Sequence, residues 1–293
     1  MTPSDADLAV MVLCASDANQ IWYEAGVMAG GNPALPKKGA PGIAYVTDEH
    51  WMVLGQLRCD DLFIARGKNV YYGLILRCVA AVGPFRPGDH LVTVRGTMDP
   101  LEWANDACAE VLVSAPGAPG AVGSGFWGVY ASMTVRQMDG GRLTGTAAQA
   151  IADLVKAAPA PVYLVGHSLG AALATYLAAD LQAALSPLGV DFIPAFFASP
   201  KPGSSDFVDG YQARVSAYTL VDFAADLVPM LPSSPPSAAL RAGGILHNVK
   251  MLQRGSPGSP PWPELNPVRN HDPARYALML DPANATARAL LGA

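Results

Sequence analysis

The chain has 293 residues and a net charge of −5, with no run of Lys or Arg, so its composition argues against nucleic-acid binding. Hydrophobic residues make up 51% of it and charged residues only 15%, which is apolar by the standards of soluble proteins. A large buried core would explain part of this, and an apolar surface near a lipid-handling site would explain more.

The N-terminal segment does not read as an export signal. Acidic residues stand where a signal peptide carries positive charge, and the first apolar run is interrupted by Ser16 and Asp17. No stretch of the chain reaches the ~18 uninterrupted apolar residues expected of a membrane span. We therefore expect a soluble protein that is cytoplasmic or exported by a leaderless route.

Strands are predicted in the first third of the chain. Residues 43–57 and 62–80 are rich in β-branched and aromatic residues, and Gly67 to Asn69 suggests a hairpin turn between LFIAR (62–66) and VYYGLILRCVA (70–80). Residues 90–94 form a short apolar run bounded by turn signals, which is typical of a buried strand.

The middle of the chain alternates between helices and strands. Residues 101–113 begin as a helix candidate, and the Gly- and Pro-rich residues 114–125 predict a flexible loop. Helices are predicted over 144–158 and 169–184, with a compact buried strand at 162–165 between them.

The C-terminal third continues this pattern. Strands are predicted at 192–198, 215–221 and 244–251, and helices at 273–280 and 283–291. Alternating strands and helices predict an α/β fold, with a mostly parallel central sheet and helices on both faces.

The cysteines give no sign of a metal site. Cys14, Cys59, Cys78 and Cys108 lie far apart, without a C-x-x-C pair or nearby histidines. We expect buried free thiols, with one or two disulfides as the alternative, and we expect neither a metal nor a cofactor.

The most informative motif is G-x-S-x-G, formed by Gly166, Ser168 and Gly170. It lies between a predicted strand and a predicted helix, which is the context of a nucleophile elbow. The sharp turn lifts the serine into a strained position, and the helix N-terminus favours negative charge beside it. The alternative is a Gly-rich connecting turn, and Ser168 as a nucleophile is the better interpretation.

Several segments resemble the class 3 lipases, the family of the filamentous-fungal triacylglycerol lipases. GHSLGAALA at 166–174 resembles the elbow of that family. Further segments resemble it in the same chain order: HLVTVRGTMDPLEWAND at 90–106, Gly125-Phe126 with Tyr130, SPKPG within 198–203, and DLVPMLP at 226–232. The resemblance implies the α/β-hydrolase fold.

The resemblance extends over roughly residues 60–282 and leaves the first forty residues unexplained. We expect one α/β-hydrolase domain over 1–293, in which residues 1–40 are packing, a cap or a partner site.

The base must be a histidine that follows the serine, because α/β-hydrolases run in the order serine, acid, histidine. The histidines are His50, His90, His167, His247 and His271. The first two precede Ser168, and His167 is expected on the wrong side of the elbow. His247 lies in a strand-like run, whereas His271 lies in a loop before a helix and, with Tyr276, resembles the family's H-x-x-x-Y region. His271 is the predicted base and His247 the alternative.

Two aspartates compete as the acid that orients the base. Asp226 matches the family's D-x-V-P stretch residue for residue, whereas Asp222 fits a strand-edge role. We therefore predict Asp226, which would hold the imidazole in the right tautomer and stabilise the imidazolium.

The oxyanion hole is assigned partly from the elbow and partly from the resemblance. The backbone N–H of Leu169, the residue after the nucleophile, is the first expected donor. The resemblance implies Thr97 as the second donor, through its backbone N–H with its hydroxyl as an added donor. An ordinary turn after a strand is the alternative for residues 95–97.

A lid is the last element that the resemblance implies. Its apolar residues would be Met98, Leu101 and Trp103, facing the site when closed and lipid when open. Pro100 departs from the fungal pattern, and residues 114–125 could form the mobile cover instead. Core packing is the alternative for Trp103.

Together these residues predict a serine ester hydrolase that cleaves acyl esters of lipids through an acyl-enzyme, with transient contact with a lipid interface. A phospholipase, a short-chain carboxylesterase, an acyltransferase and a non-catalytic lipase-like binding protein are the alternatives. An imidazole base predicts that activity falls as the pH drops through roughly 6 to 7.

Overall fold

The computed structural model describes most of the chain. The described residues are 2–24, 34–61, 67, 69–97, 111–138, 141–215, 217–232, 237–238, 249–252 and 267–292. The strands are β1 (Trp51–Cys59), β2 (Val70–Cys78), β3 (His90–Val94), β4 (Leu112–Ser114), β5 (Ala121–Gly123), β6 (Thr134–Arg136), β7 (Val162–His167), β8 (Phe192–Phe197), β9 (Gly203–Ser204), β10 (Thr219–Phe223), β11 (Ser237–Ala238) and β12 (Val249–Leu252).

The helices alternate with these strands along the chain. They are α1 (Asp5–Glu24), α2 (Ser124–Ala131), α3 (Ala147–Lys156), α4 (Leu169–Leu185), α5 (Ser205–Arg214), α6 (Pro267–Asn270), α7 (Pro273–Leu280) and α8 (Ala285–Leu291), with short 3-10 turns at Ser186–Leu188 and Val228–Met230.

The central sheet runs in the order β12-β10-β8-β7-β3-β2-β1-β6. The five strands from β12 to β3 are parallel, and β2, β1 and β6 continue the sheet antiparallel. A second small sheet joins β11, β9, β5 and β4. The predicted α/β-hydrolase fold, with a mostly parallel central sheet and helices on both faces, is confirmed.

Helices bury both faces of the sheet. One core lies between the sheet and the Ala- and Leu-rich helix α4, together with α2, α3 and α5. The other lies between the sheet and helices α1, α7 and α8. All six residues of β7 are buried, as expected of a parallel strand covered on both sides.

The N-terminal helix α1 is the main element that sequence reasoning missed. Eight consecutive residues, 8–15, are buried against the sheet and its neighbouring helices. A helical stretch buried on all sides has no amphipathic period, so its sequence carries no pattern that distinguishes it from a strand or loop. Residues 8–15 therefore contribute to the core on one face of the sheet.

Two segments differ from the predictions. Residues 43–50 form turns rather than a strand, because the Asp17 carboxylate accepts the backbone N–H groups of Ala44, Tyr45 and Val46 at 2.6–2.8 Å. The predicted loop at 114–125 is instead partly ordered, since β4 and β5 pair antiparallel and α2 begins at Ser124.

No helix in the described part of the chain is long and apolar enough to cross a membrane. Within the same residues, no group of His, Cys, Asp and Glu could hold a metal ion. Cys14, Cys59 and Cys78 are buried free thiols, and Cys108 lies outside the described residues.

Candidate active site

Ser168 occupies a strained turn between β7 and α4. Its backbone has φ 59° and ψ −132°, a conformation that a residue with a side chain adopts at a cost of about 1–3 kcal/mol. The turn is held by a hydrogen bond from the Ser168 N–H to the carbonyl of Phe197, 3.0 Å long. Strain that is stabilised by its surroundings is typical of functional sites.

The two glycines of the motif allow this turn to form. A Cβ atom on Gly166 would lie 2.4 Å from the carbonyl oxygen of Gly170, and one on Gly170 would lie 2.3 Å from that of Val94. Both distances are far below contact distance with backbone atoms that cannot move aside. The helix therefore starts close against β3, as a nucleophile elbow requires.

His271 and Asp226 are brought together from elements 45 residues apart. The distance from His271 Nδ1 to Asp226 Oδ2 is 2.7 Å, and the two side chains are 4% and 1% exposed. Asp226 follows β10, and its other oxygen accepts the N–H of Val228 at 3.0 Å. This is the geometry by which a carboxylate orients an imidazole.

Tyr276 is a further polar contact of Asp226 that sequence reasoning did not assign to the site. Its hydroxyl donates to Asp226 Oδ2 at 2.7 Å and accepts the N–H of Phe223 at 3.0 Å. Burial, followed by the Asp226 charge, raises the pKa of Tyr276 well above its ordinary value, so it stays a donor. The sequence signal for Tyr276 was its position shortly after His271. The spacing is one residue longer than in the H-x-x-x-Y pattern.

The competing acid Asp222 makes neither of the side-chain contacts described for Asp226 with His271 and Tyr276. Asp222 is inside β10, where it pairs in register with Met251 of β12. His247 lies outside the described residues, and so do the predicted lid residues Met98, Leu101 and Trp103.

His167 lies against His271, contrary to its expected place on the wrong side of the elbow. The two rings are 4.5 Å apart between centroids and inclined by 38°, and Tyr276 meets His167 edge-on at 5.9 Å. Burial, and then the neighbouring His271, lower the pKa of His167 well below its ordinary value, despite a hydrogen bond with the His271 backbone. The ring of His167, the residue before Ser168, is therefore neutral and packs against the imidazole of His271.

Acidification is expected to destabilise the protein through His167. The pKa of His167 in the folded protein lies below its unfolded value near 6.5. The contribution of His167 to the free energy of unfolding is therefore fully present above about pH 6.5. Below that pH, the free energy of unfolding decreases by about 1.4 kcal/mol per pH unit until the folded pKa is reached. Urea unfolding between about pH 7.5 and about pH 5 should give a shallower pH slope for His167→Phe than for wild type. His50→Phe, at a half-buried turn position, is the control. Equal slopes for wild type and His167→Phe would contradict this prediction.

Ser168 Oγ and His271 Nε2 are both buried. Within the described residues, neither atom has a hydrogen-bond partner, so the two are not hydrogen-bonded to each other in this structure.

The predicted oxyanion residues flank Ser168. Leu169 is the buried first residue of α4, and Thr97 is 8% exposed directly after Gly96. A Cβ atom on Gly96 would lie 2.9 Å from the His167 carbonyl oxygen and 3.3 Å from Ser168 Cβ. The strand end carrying Thr97 therefore lies directly against the elbow.

The chain is similar in sequence to a known family. A sequence model of the family described as Lipase (class 3) matches residues 91–235, which include the elbow, Thr97 and Asp226. These residues carry the sequence pattern of the class 3 lipase family. His271 and helix α1 lie outside the matched segment.

The individual relatives of this chain are distant. Phospholipase A1-II 7 of Oryza sativa subsp. indica is 30% identical over 221 residues, which cover 61% of this chain and 53% of the rice protein. The chain thus spans about half the length of that relative.

Two solved structures share the fold. A triacylglycerol lipase described as having a serine protease triad has a TM-score of 0.55 at 18% identity, covering 85% of this chain and 79% of its own. The Rhizomucor miehei lipase has a TM-score of 0.56 at 15% identity, covering 83% and 77%.

Proposed function

We propose that this protein is a serine ester hydrolase that cleaves lipid esters, with Ser168 as nucleophile, His271 as base and Asp226 as orienting acid. The observation that carries the proposal is the 2.7 Å bond from His271 to Asp226 beside a strained serine elbow. The triad named in the description of the similar triacylglycerol lipase supports the same roles.

Acyl transfer would proceed in two steps. Ser168 Oγ attacks the ester carbonyl while His271 Nε2 takes the hydroxyl proton, and the imidazolium then gives that proton to the departing alcohol. Water attacks the acyl-enzyme in the second step, with His271 again as base. Asp226 stabilises the imidazolium in both steps.

The oxyanion of each tetrahedral intermediate would be stabilised by the N–H groups of Leu169 and Thr97. Each such donor lowers the barrier by about 3 kcal/mol. These steps use only side chains and backbone groups of the chain itself. Our proposal therefore needs neither a metal nor a cofactor.

A phospholipid is the second candidate substrate. The 30% identical rice relative is a phospholipase A1, whereas one of the solved structures with the same fold is a triacylglycerol lipase. The bond cleaved is a carboxylic ester in either case, so the same triad serves both.

Ester hydrolysis by wild type and Ser168→Ala tests the proposal. The substrates are p-nitrophenyl esters of short, medium and long chains, a triacylglycerol emulsion and phosphatidylcholine vesicles. Turnover that disappears in Ser168→Ala supports a hydrolase, and the preferred substrate separates lipase, phospholipase and esterase. A wild-type protein that is inactive on all of them would favour a lipase-like binding scaffold.

We also propose that the turn after Asp226 contacts the lipid surface. Leu227 and Met230 are 57% and 54% exposed on this turn, immediately after the proposed acid. Large apolar side chains exposed beside a site favour association with an apolar partner. A lipid aggregate is the partner that fits a lipid-ester hydrolase.

Replacing both side chains by serine is expected to lower activity on emulsions by about thirtyfold, because partial burial of each contributes roughly 1 kcal/mol to interface binding. Rates on a dissolved short-chain ester should change less than about twofold, since the triad is untouched. The control is Val79→Ser with Leu290→Ser, at positions 49% and 40% exposed away from this turn. Equal losses on both substrates, or in both double variants, would contradict surface contact.

A further inference from the structure

The side chain of Arg95 is completely buried beside the proposed oxyanion site. Its Nε donates to the carbonyl of Tyr71 at 2.8 Å, and one terminal nitrogen donates to the carbonyl of Gly96 at 2.8 Å. The other terminal nitrogen lies 3.3 Å from Oδ2 of buried Asp61. Three nitrogens in a rigid planar group thus each have an acceptor.

Two aromatic rings enclose the guanidinium on its faces. Its central carbon lies 4.0 Å from the ring centroid of Trp22 and 4.2 Å from that of Tyr72. Such stacking is stronger where water is excluded, as it is here. Trp22 belongs to α1, so the N-terminal helix fixes the plane in which Arg95 can donate.

The bond to Gly96 bears directly on the oxyanion donor. The carbonyl of Gly96 and the N–H of Thr97 belong to one planar peptide group and point in opposite directions. Holding that carbonyl therefore sets the direction of the Thr97 N–H. Gly96 also lies against the elbow at His167, so a rotation of this peptide would move the donor relative to Ser168.

We propose that Trp22 and Arg95 are positioning residues that aim the Thr97 N–H at the oxyanion. This inference rests on the proposed function, since it assigns Thr97 a role in stabilising the tetrahedral intermediate. It gives α1, which lies outside the residues matched by the class 3 lipase family, a part in catalysis. A purely structural role for the two residues would affect stability without selectively affecting the transition state.

The test compares Arg95→Lys, Trp22→Leu and Trp22→Phe with wild type. Lysine keeps the charge but cannot form the planar fork, and leucine removes the aromatic face. The measurements are kcat and KM on a dissolved ester, the Kd of an arylboronic acid that forms a tetrahedral adduct with serine, and Tm. Tyr23→Leu is the matched control, because Tyr23 is the next residue of α1 and is 64% exposed.

We expect Arg95→Lys to lower kcat by about 10- to 100-fold, less than the loss of a whole oxyanion donor, with KM within about twofold. The boronic acid should lose affinity in parallel, because it resembles the transition state. Trp22→Leu should lower kcat and the affinity for the boronic acid by about threefold to tenfold. Trp22→Phe keeps an aromatic face and should retain most of the wild-type kcat and affinity, and Tyr23→Leu should leave both quantities unchanged.

Folded variants with unchanged kcat and boronic acid affinity would overturn the positioning role while leaving the hydrolase intact. A rise in KM with unchanged kcat would also overturn the positioning role. If Arg95→Lys does not fold, the Trp22 pair decides by the same criteria. An inactive wild-type protein would overturn the proposed function and this inference together, so the two failures are distinguishable.

Discussion

Ser168→Ala is expected to lower kcat on lipid esters by at least about 10⁴-fold while the protein remains folded. The substitution removes the nucleophilic oxygen and nothing else at the elbow. Substrate binding and the oxyanion donors would remain, so a small residual rate is expected. Steady-state hydrolysis together with thermal unfolding measures both effects.

Stability should change little in this variant, because Ser168 Oγ makes no hydrogen bond within the described structure. Ser168→Gly should raise stability by about 1 kcal/mol, since glycine adopts the positive φ without strain. Ser132→Ala is the matched control. Its hydroxyl donates to the backbone carbonyl of Val129 and accepts the backbone N–H of Asp60, so this change should reduce stability and keep activity. A Ser168→Ala protein that keeps its rate would remove Ser168 from the mechanism.

Asp226→Asn is expected to lower kcat by about 10⁴-fold, the second largest effect. The two oxygens of Asp226 accept three donors, from His271, Tyr276 and Val228. An amide has one acceptor oxygen, so it cannot satisfy all three in either orientation. It also carries no charge, and the imidazolium formed during the reaction loses its stabilising partner.

Asp222→Asn is the matched control, since Asp222 is equally buried four residues earlier in the same segment. Its kcat should stay within about tenfold of wild type, whatever the change in Tm. The measurement is kcat/KM on a dissolved ester for both variants. If Asp222→Asn shows the larger loss, the orienting acid has been assigned to the wrong aspartate.

The elbow was predictable because everything that forms it is local in sequence. An apolar strand, two glycines around Ser168 and an Ala- and Leu-rich helix are contiguous, and close packing demands glycine at Gly166 and Gly170. The chain order of acid and base narrowed the remaining choice to a few candidates. Buried parallel strands were predictable for the same reason, since their apolar runs are continuous.

Helix α1 and the neighbours of the proposed triad were not predictable in this way. A helix buried on all sides has no periodic pattern, and its Asp17 diverts residues 44–46 from the predicted strand. His167 contacts His271, and Arg95 lies between Trp22 and Tyr72; these contacts join residues from about 20 to about 100 positions apart in the sequence.

The sequence by itself determined the fold class, the elbow and the short set of residues from which the site is drawn, because these depend on local pattern and chain order. Tertiary structure decided which residues meet. The 2.7 Å contact of His271 with Asp226, the hydroxyl of Tyr276 on the same oxygen and the orientation of the peptide before Thr97 arise when distant segments pack on one sheet edge. No local pattern encodes those distances, since they depend on the packing of the whole core.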